Sequence, residues 1–335
     1  MLKSSLDHIM EITVIPSFSS IGSFTRSRLF NWTSLSTYQL TDKVVVLTGG
    51  TSGIGRAAAS LYARLGATLV LVARSQEKTE VTISEVTKES GNHHIHGVIG
   101  DLGSADDVQR VAEELASRFP RIHMLVHNAG ALYNLRRRAA NGTDLSVELM
   151  VATPFLLTGL LLPQLIPDSK KTSDTPGRVI TMSSGGMYTQ ALSVTDLEMP
   201  DELYHGARQY ARAKRAQVVL NELWAKRVDA EDIVFHALHP GWVDTPGINE
   251  ALPGFSRILG PLRLLRSAEV GADTMVWLST EPAVADHSGL FWHDRAVRSI
   301  DLGKRTKEAD TPEKRQALWD WCEEHTGWRG NSIPT

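Results

Sequence analysis

The sequence predicts an α/β protein: a doubly wound parallel sheet in one domain, with short additions at both ends. Three observations predict it. Apolar, β-branched runs alternate with helix-forming segments, the pattern of strands covered on both faces and joined by helices. A glycine-rich stretch, TGGTSGIG (Thr48 to Gly55), links the first such strand to the first such helix. Polar residues capable of chemistry fall just after the strands, where open α/β sheets bind their ligands.

KVVVLT (Lys43 to Thr48) is the first strand, and GRAAASLYARLG (Gly55 to Gly66) is a helix closed by glycine. TLVLVAR (Thr68 to Arg74) is the second strand, and the third runs into GDL (Gly100 to Leu102). ADDVQRVAEELASRF is helical, and HMLVHNAG is the fourth strand. VATPFLLTGLLLPQLIP (Val151 to Pro167) is too short to span a bilayer comfortably and carries three prolines, so it reads as a buried helix. GRVITMSS (Gly177 to Ser184) is the fifth strand, Tyr210 to Arg227 a long helix, and IVFHALHPG (Ile233 to Gly241) the sixth strand. The domain is expected over 41–303, after an N-terminal extension (1–40) and before a helical tail (304–335).

Composition narrows the function classes. The chain has 335 residues with 42% hydrophobic content, enough for a large core. A net charge of −3 gives no electrostatic case for nucleic acid. The single cysteine, Cys322, excludes an internal disulfide and suits a reducing compartment, so the expected location is cytoplasmic. No signal peptide is evident. IGSFTRSRLFNW (Ile21 to Trp32) reads as a short amphipathic helix for docking on the domain, with peripheral membrane contact as the alternative.

The glycine turn has a physical purpose. Gly49, Gly53 and Gly55 permit a tight turn and close backbone approach to a pyrophosphate, and Thr51, Ser52 and Ile54 complete the cradle. The amino end of the following helix adds free N–H groups. At the second strand end stands Arg74, where an acidic residue would hold a ribose hydroxyl; a guanidinium suits a 2′-phosphate, so NADP(H) is expected over NAD(H). Asp101 and Leu102 are positioned for the adenine, and Asn128, Ala129 and Gly130 for sheet bracing and the adenosine ribose.

TGGTSGIG, GDL, HNAG, VITMSSGG, YARAK and HPGWVDTPG together resemble the short-chain dehydrogenase/reductase superfamily, over about residues 40–300, with features of its retinol-dehydrogenase-like branch. The resemblance implies a Rossmann-like fold and hydride transfer between a nicotinamide and an alcohol or carbonyl. It makes Tyr210 the general acid or base, and Lys214 the cation that lowers the phenol's pKa and binds the nicotinamide ribose. Ser184 becomes the hydrogen-bond partner of the substrate oxygen. Pro240, Gly241, Val243 and Thr245 would face the nicotinamide half, and Ile248 to Arg266 would cover the substrate. Of six tyrosines, only Tyr210 is followed four residues on, one helical turn away, by lysine. A homodimer through the helices after the fourth and fifth strands is expected by analogy.

Two departures stand out. Met150 occupies the position where many members carry asparagine, which puts a water-linked proton path to Lys214 in doubt. Tyr210 lies 26 residues after Ser184, against a family norm of roughly a dozen, so MYTQALSVTDLEMPDELYHGARQ should leave and return as a loop. Two other readings remain: a nucleotide-binding regulatory or scaffold protein with little turnover, and an epimerase or dehydratase that recycles its cofactor. No metal site is expected. HHIH (His93 to His96) and RRR (Arg136 to Arg138) read as solvated loops, and Trp319, Trp321 and Cys322 as the apolar face of a terminal helix.

Overall fold

A computed structural model describes residues 7–333 except 8, 12, 168–174, 252, 253, 255, 256 and 258. Eight strands form one sheet in the order β3-β2-β1-β4-β5-β6-β7-β8. They are β1 (Val44–Thr48), β2 (Thr68–Ala73), β3 (Ile95–Ile99), β4 (Met124–His127), β5 (Gly177–Met182), β6 (Ile233–Leu238), β7 (Leu290–His293) and β8 (Ala296–Val297). β1 to β7 pair in parallel, and β8 turns back antiparallel on β7. The six strands read from the sequence all form. β7 and β8 are additions, four and two residues long.

The helices cover both faces. Gly53–Arg64 and Ala268–Thr280 lie on one apolar layer, which holds Leu47, Leu71, Tyr62 and Met275. Ala105–Arg118, Leu145–Leu165 and Gly206–Ala225 lie on the other, with Val46, Val70, Phe155 and Val219. Every residue of β5 and β6 is buried, so the runs are mostly apolar, and the polar exceptions are Arg178, Thr181 and His236. Leu145–Leu165 is long and apolar enough to cross a membrane, yet most of it is buried in the protein, as a core helix is. It begins before the apolar run and contains a π-helical turn at Glu148–Ala152. The strand order reverses between β1 and β4, so a crevice opens beyond their carboxyl ends.

The described segments on either side of the sheet domain are both fastened to it. In the N-terminal part, Val14–Phe18 and Ser20–Leu29 are helical. Ser20–Leu29 docks on the domain through a fully buried Arg26, which pairs with Asp7, Glu11 and Asp294 at 2.7, 2.7 and 2.8 Å. Its other face turns Ile21 and Phe24 to solvent. At the other end, Pro312–Thr326 lays Leu318, Trp319 and Cys322 into the core, as its apolar face requires. Trp319 and Trp328 close an aromatic cage with Phe155 and Trp224, centroids 4.9 to 5.4 Å apart. Gly159 must be small, because a Cβ there would sit 2.4 Å from the Trp328 ring. This tail therefore covers part of the helical face expected to meet a second subunit.

Two expectations are corrected. Of Arg136 to Arg138, Arg137 and Arg138 are exposed as expected, but Arg136 is half-buried and the run is held in place. Arg136 and Arg138 bond Asp201 at 2.6 and 2.7 Å, and Arg136 and Arg137 stack on Tyr204 and Tyr133. They latch the long insert, whose return is tied by Gln209 to the backbone of Leu197 and Met199. Of the histidine run, His93 and His94 are exposed, but His96 lies within β3 against Phe119.

Candidate active site

The carboxyl ends of β1 and β4 are locked together. The Thr48 hydroxyl accepts from the amides of Asn128 and Ala129 (both 3.0 Å). The Asn128 side chain donates to the carbonyls of Thr48 and Gly49 (both 3.1 Å). Gly49 and Gly53 take left-handed conformations, φ 69° and 51°. Gly55 packs so closely that a Cβ would lie 2.1 Å from the Gly49 carbonyl oxygen. Ser52 begins the helix without a side-chain cap, which leaves the first-turn amides to an anion. Around this cradle, Thr51 and Ile54 are half-buried and Leu102 is buried; Asp101 is exposed and accepts from the Gly103 amide at 3.0 Å. Arg74 is exposed just past β2 and makes no salt bridge among the described residues. Arg56, the other nearby guanidinium, is held by Glu85 and Glu89.

The second group lies beyond β5. Ser183 is buried and donates to the Lys214 carbonyl at 3.0 Å, so the neighbouring, half-exposed Ser184 is the serine that faces the crevice. The Ser184 hydroxyl accepts from the Gly186 amide at 3.2 Å and lies on the side of the Tyr210 phenol, close enough to lower its pKa. Tyr210 and Lys214 stand one turn apart on Gly206–Ala225, with the Lys214 Nζ 5.4 Å from the Tyr210 ring centroid. That Nζ donates to the Met182 carbonyl at 2.7 Å.

Burial pushes the Tyr210 phenol up to about 12, and the nearby Ser184 hydroxyl pulls it partly back. Burial also pushes the Lys214 ammonium down to about 7. The phenol is thus raised, not lowered as expected, because the loss of water outweighs its neighbours. Met150 is fully buried in the π-helical turn. A Cβ on Gly130 would lie 3.2 Å from the Met150 sulfur and 3.3 Å from the Lys214 Nζ, so thioether and ammonium flank the same glycine. Behind Met150 is a cavity of about 20 Å³ lined by His127, Thr158, Thr181, Gln217 and Asn221, with both Gln217 amide atoms unpaired.

Beyond β6, Gly241 is left-handed (φ 77°) and Val243 bridges Arg266, which closes the neck of the loop between them. Thr245 leans on Gly53: a Cβ there would meet its methyl at 3.3 Å. Much of the expected substrate cover, including residues 252, 253, 255, 256 and 258, lies outside the described residues.

Sequence reasoning missed a buried polar cluster beside Pro240. Glu11, His239 and His293 bring ligand-type atoms within 4.8 Å of one another. Arg26, Arg266 and Arg298 contact the same groups, and these guanidiniums balance Asp7, Glu11 and Asp294. The guanidiniums already engage the carboxylates of this cluster, so it reads as an ion-pair network. Its members come from distant stretches of chain, and no local motif announces them.

A phosphate cradle at the sheet's switch point and a Ser184–Tyr210–Lys214 group beside it define an oxidoreductase that takes a nicotinamide dinucleotide. The close glycine packing and uncapped helix start fit that cofactor. The family model described as short chain dehydrogenase matches residues 43–253. The chain belongs to the short-chain dehydrogenase/reductase family, and it is an enzyme acting on CH–OH or C=O groups. It is 38% identical to dehydrogenase/reductase SDR family member 12 of Homo sapiens, across 84% of this chain and 85% of that one. It is 27% identical to retinol dehydrogenase 13 of Homo sapiens, across 83% and 82%. A solved short chain dehydrogenase from Shigella flexneri complexed with NADP superposes with a TM-score of 0.59 at 24% identity, covering 77% of this chain and 98% of that one.

Proposed function

We propose that the protein is an NADP(H)-dependent oxidoreductase that moves a hydride between the nicotinamide and an alcohol or carbonyl, small or lipophilic. The observation that carries this reading is the grouping of Ser184, Tyr210 and the buried Lys214 at the end of β5, with the Lys214 Nζ 5.4 Å from the Tyr210 ring centroid and bonded to the Met182 carbonyl. Tyr210 is the general acid in carbonyl reduction and the base in alcohol oxidation. Its raised pKa keeps the phenol protonated near neutrality, the state that donates to a carbonyl. Ser184 orients the substrate oxygen, and Lys214 holds positive charge beneath the phenol and toward the nicotinamide ribose. The bound nicotinamide supplies or accepts the hydride. Arg74, exposed and without a salt bridge among the described residues, supports a preference for NADP(H), and the NADP-complexed relative agrees with it.

An NADPH-oxidation screen with aldehydes, ketones, retinoids and steroids tests the reading, with Tyr210→Phe as the blank. The substitution should lower turnover by about 10²- to 10⁴-fold while NADPH affinity stays largely intact. Retained activity refutes the role of Tyr210, and equal affinity for NAD and NADP at fixed salt refutes the preference. Met150, buried beside Lys214, favours a second reading: a nucleotide-binding regulatory protein with little turnover. Tight NADPH binding with no turnover across the panel would select it.

A further inference from the structure

The N-terminal segment lies outside the stretch matched by the family model, yet it touches two turns of the active site. The first contact is with the serine turn. The Phe18 ring lies so close to Gly185, next to Ser184, that a Cβ there would sit 2.5 Å from the ring. The second is with the nicotinamide-facing turn. The Trp242 amide donates to the Phe18 carbonyl at 2.7 Å, and a Cβ on Gly241 would lie 2.6 Å from that same oxygen.

Arg266 ties these contacts to the substrate loop. Its Nε donates to the carbonyls of Phe18 (3.0 Å) and Ser19 (3.1 Å), and its Nη2 to that of Ser17 (2.8 Å). Its Nη1 reaches the Pro240 carbonyl at 3.1 Å. Its own amide donates to the Trp242 carbonyl at 2.7 Å, at the neck of the loop. Asp294 then joins Arg266 to Arg26, at 2.6 and 2.8 Å, and so fixes the segment that carries Phe18. Phe18 is buried by the surrounding rings, with Tyr188, His239, Trp242 and His293 at centroid distances of 4.5 to 6.3 Å.

We propose that Phe18 is a positioning residue of the active site: it sets the Ser184–Gly185 turn against the Pro240–Trp242 turn, with Arg26, Asp294 and Arg266 as its clamp. The proposal rests on the assignment of Ser184 and Tyr210 above. Phe18 touches no reacting atom. It holds apart and in register the two turns that present the substrate-orienting serine and the nicotinamide face. A small displacement of either turn lengthens the hydride path, and misplacement by about 1 Å is enough to cost about 10²-fold in rate.

Two probes test this. Emission of bound NADPH reports the nicotinamide's surroundings without any substrate. Reduction of all-trans-retinal by NADPH, and by NADPH deuterated at the transferred position, reports hydride transfer. Phe18→Ala is expected to alter the emission, to lower kcat by about tenfold or more, and to raise the deuterium isotope effect, while KM changes less. Phe18→Met, which refills most of the space, should restore all three. Gly185→Ala should mimic the loss, and pairing it with the shorter Phe18→Leu should recover emission; this pair decides the matter if Phe18→Ala does not fold. Wild-type emission and isotope effect in a folded Phe18→Ala protein, or no recovery in the double variant, would overturn the proposal. Tyr210→Phe runs alongside. If it keeps its turnover, the catalytic assignment falls and the proposal with it. If it is silent while Phe18→Ala is unaffected, only the positioning role falls.

Discussion

Tyr210 and Lys214 are displaced from their ordinary ionisation in opposite directions by one cause. Removing water disfavours a phenolate and an ammonium alike, so the acid becomes weaker and the base loses its proton more readily. The two shifts give a pH profile. Tyr210 stays protonated across the neutral range, while Lys214 discharges near pH 7. In the free enzyme, kcat/KM for carbonyl reduction should therefore fall as pH rises above about 7. Lys214→Arg, charged at every accessible pH, should flatten that limb even where its absolute rate is lower. A profile that declines identically in both proteins would assign the ionisation to another group. At this scale Gly55 was fully legible: only glycine fits 2.1 Å from a carbonyl, and the motif's spacing said so. Met150 was legible as a departure, but its place beside Lys214 was not, since that depends on how the π-helical turn rotates the side chain inward.

The N-terminal helices are held on by charge, and this makes their attachment sensitive to acid. Burial alone would raise the Glu11 carboxyl, but His293, Arg298 and Arg26 outweigh it and push it down to about 2. Asp7 and Asp294 are also held below the usual carboxylate range, against their own burial, by the arginines around them. A depressed carboxylate stabilises the folded state above its unfolded pKa and loses that contribution as pH falls through its folded one. The segment should accordingly stay docked at neutral pH and loosen from about pH 4 downward, toward 2. His239, whose pKa burial and the surrounding positive charges hold well below its ordinary value, acts in the same direction when acid forces a proton on it. Protease cleavage within residues 7–30, followed against pH, checks this: cleavage that appears only with global unfolding would show that the segment has no separate attachment. The amphipathic helix was readable from Ile21 to Trp32, but Arg26 was not readable as its anchor. The partner of that guanidinium, Asp294, is 268 residues away, and long-range ion pairs leave no periodicity behind.

Across the whole molecule, the parallel sheet was readable because buried strands are mostly apolar and the chemistry sits at their ends. Its antiparallel edge was not, because β8 is only two residues long. The C-terminal tail has a consequence for assembly. Trp319 and Trp328 fill the aromatic cage with Phe155 and Trp224 over the helices that would otherwise be free to meet another subunit. Deleting residues 311–335 should expose that apolar surface and drive self-association, read as a rise in mass by light scattering. A deletion variant with the oligomeric state of the intact protein would show that the tail does not govern this face. The clamp at Phe18 bears on how the enzyme is made. A ribosome delivers Phe18 and Arg26 well before Asp294 and Arg298. The nascent chain can lay down its glycine-rich turn and the Ser184–Tyr210–Lys214 group while the Phe18 segment still waits for those partners. A message cut short before residue 294 would encode the whole of the family-matched stretch and still yield a protein whose two active-site turns were never brought to rest.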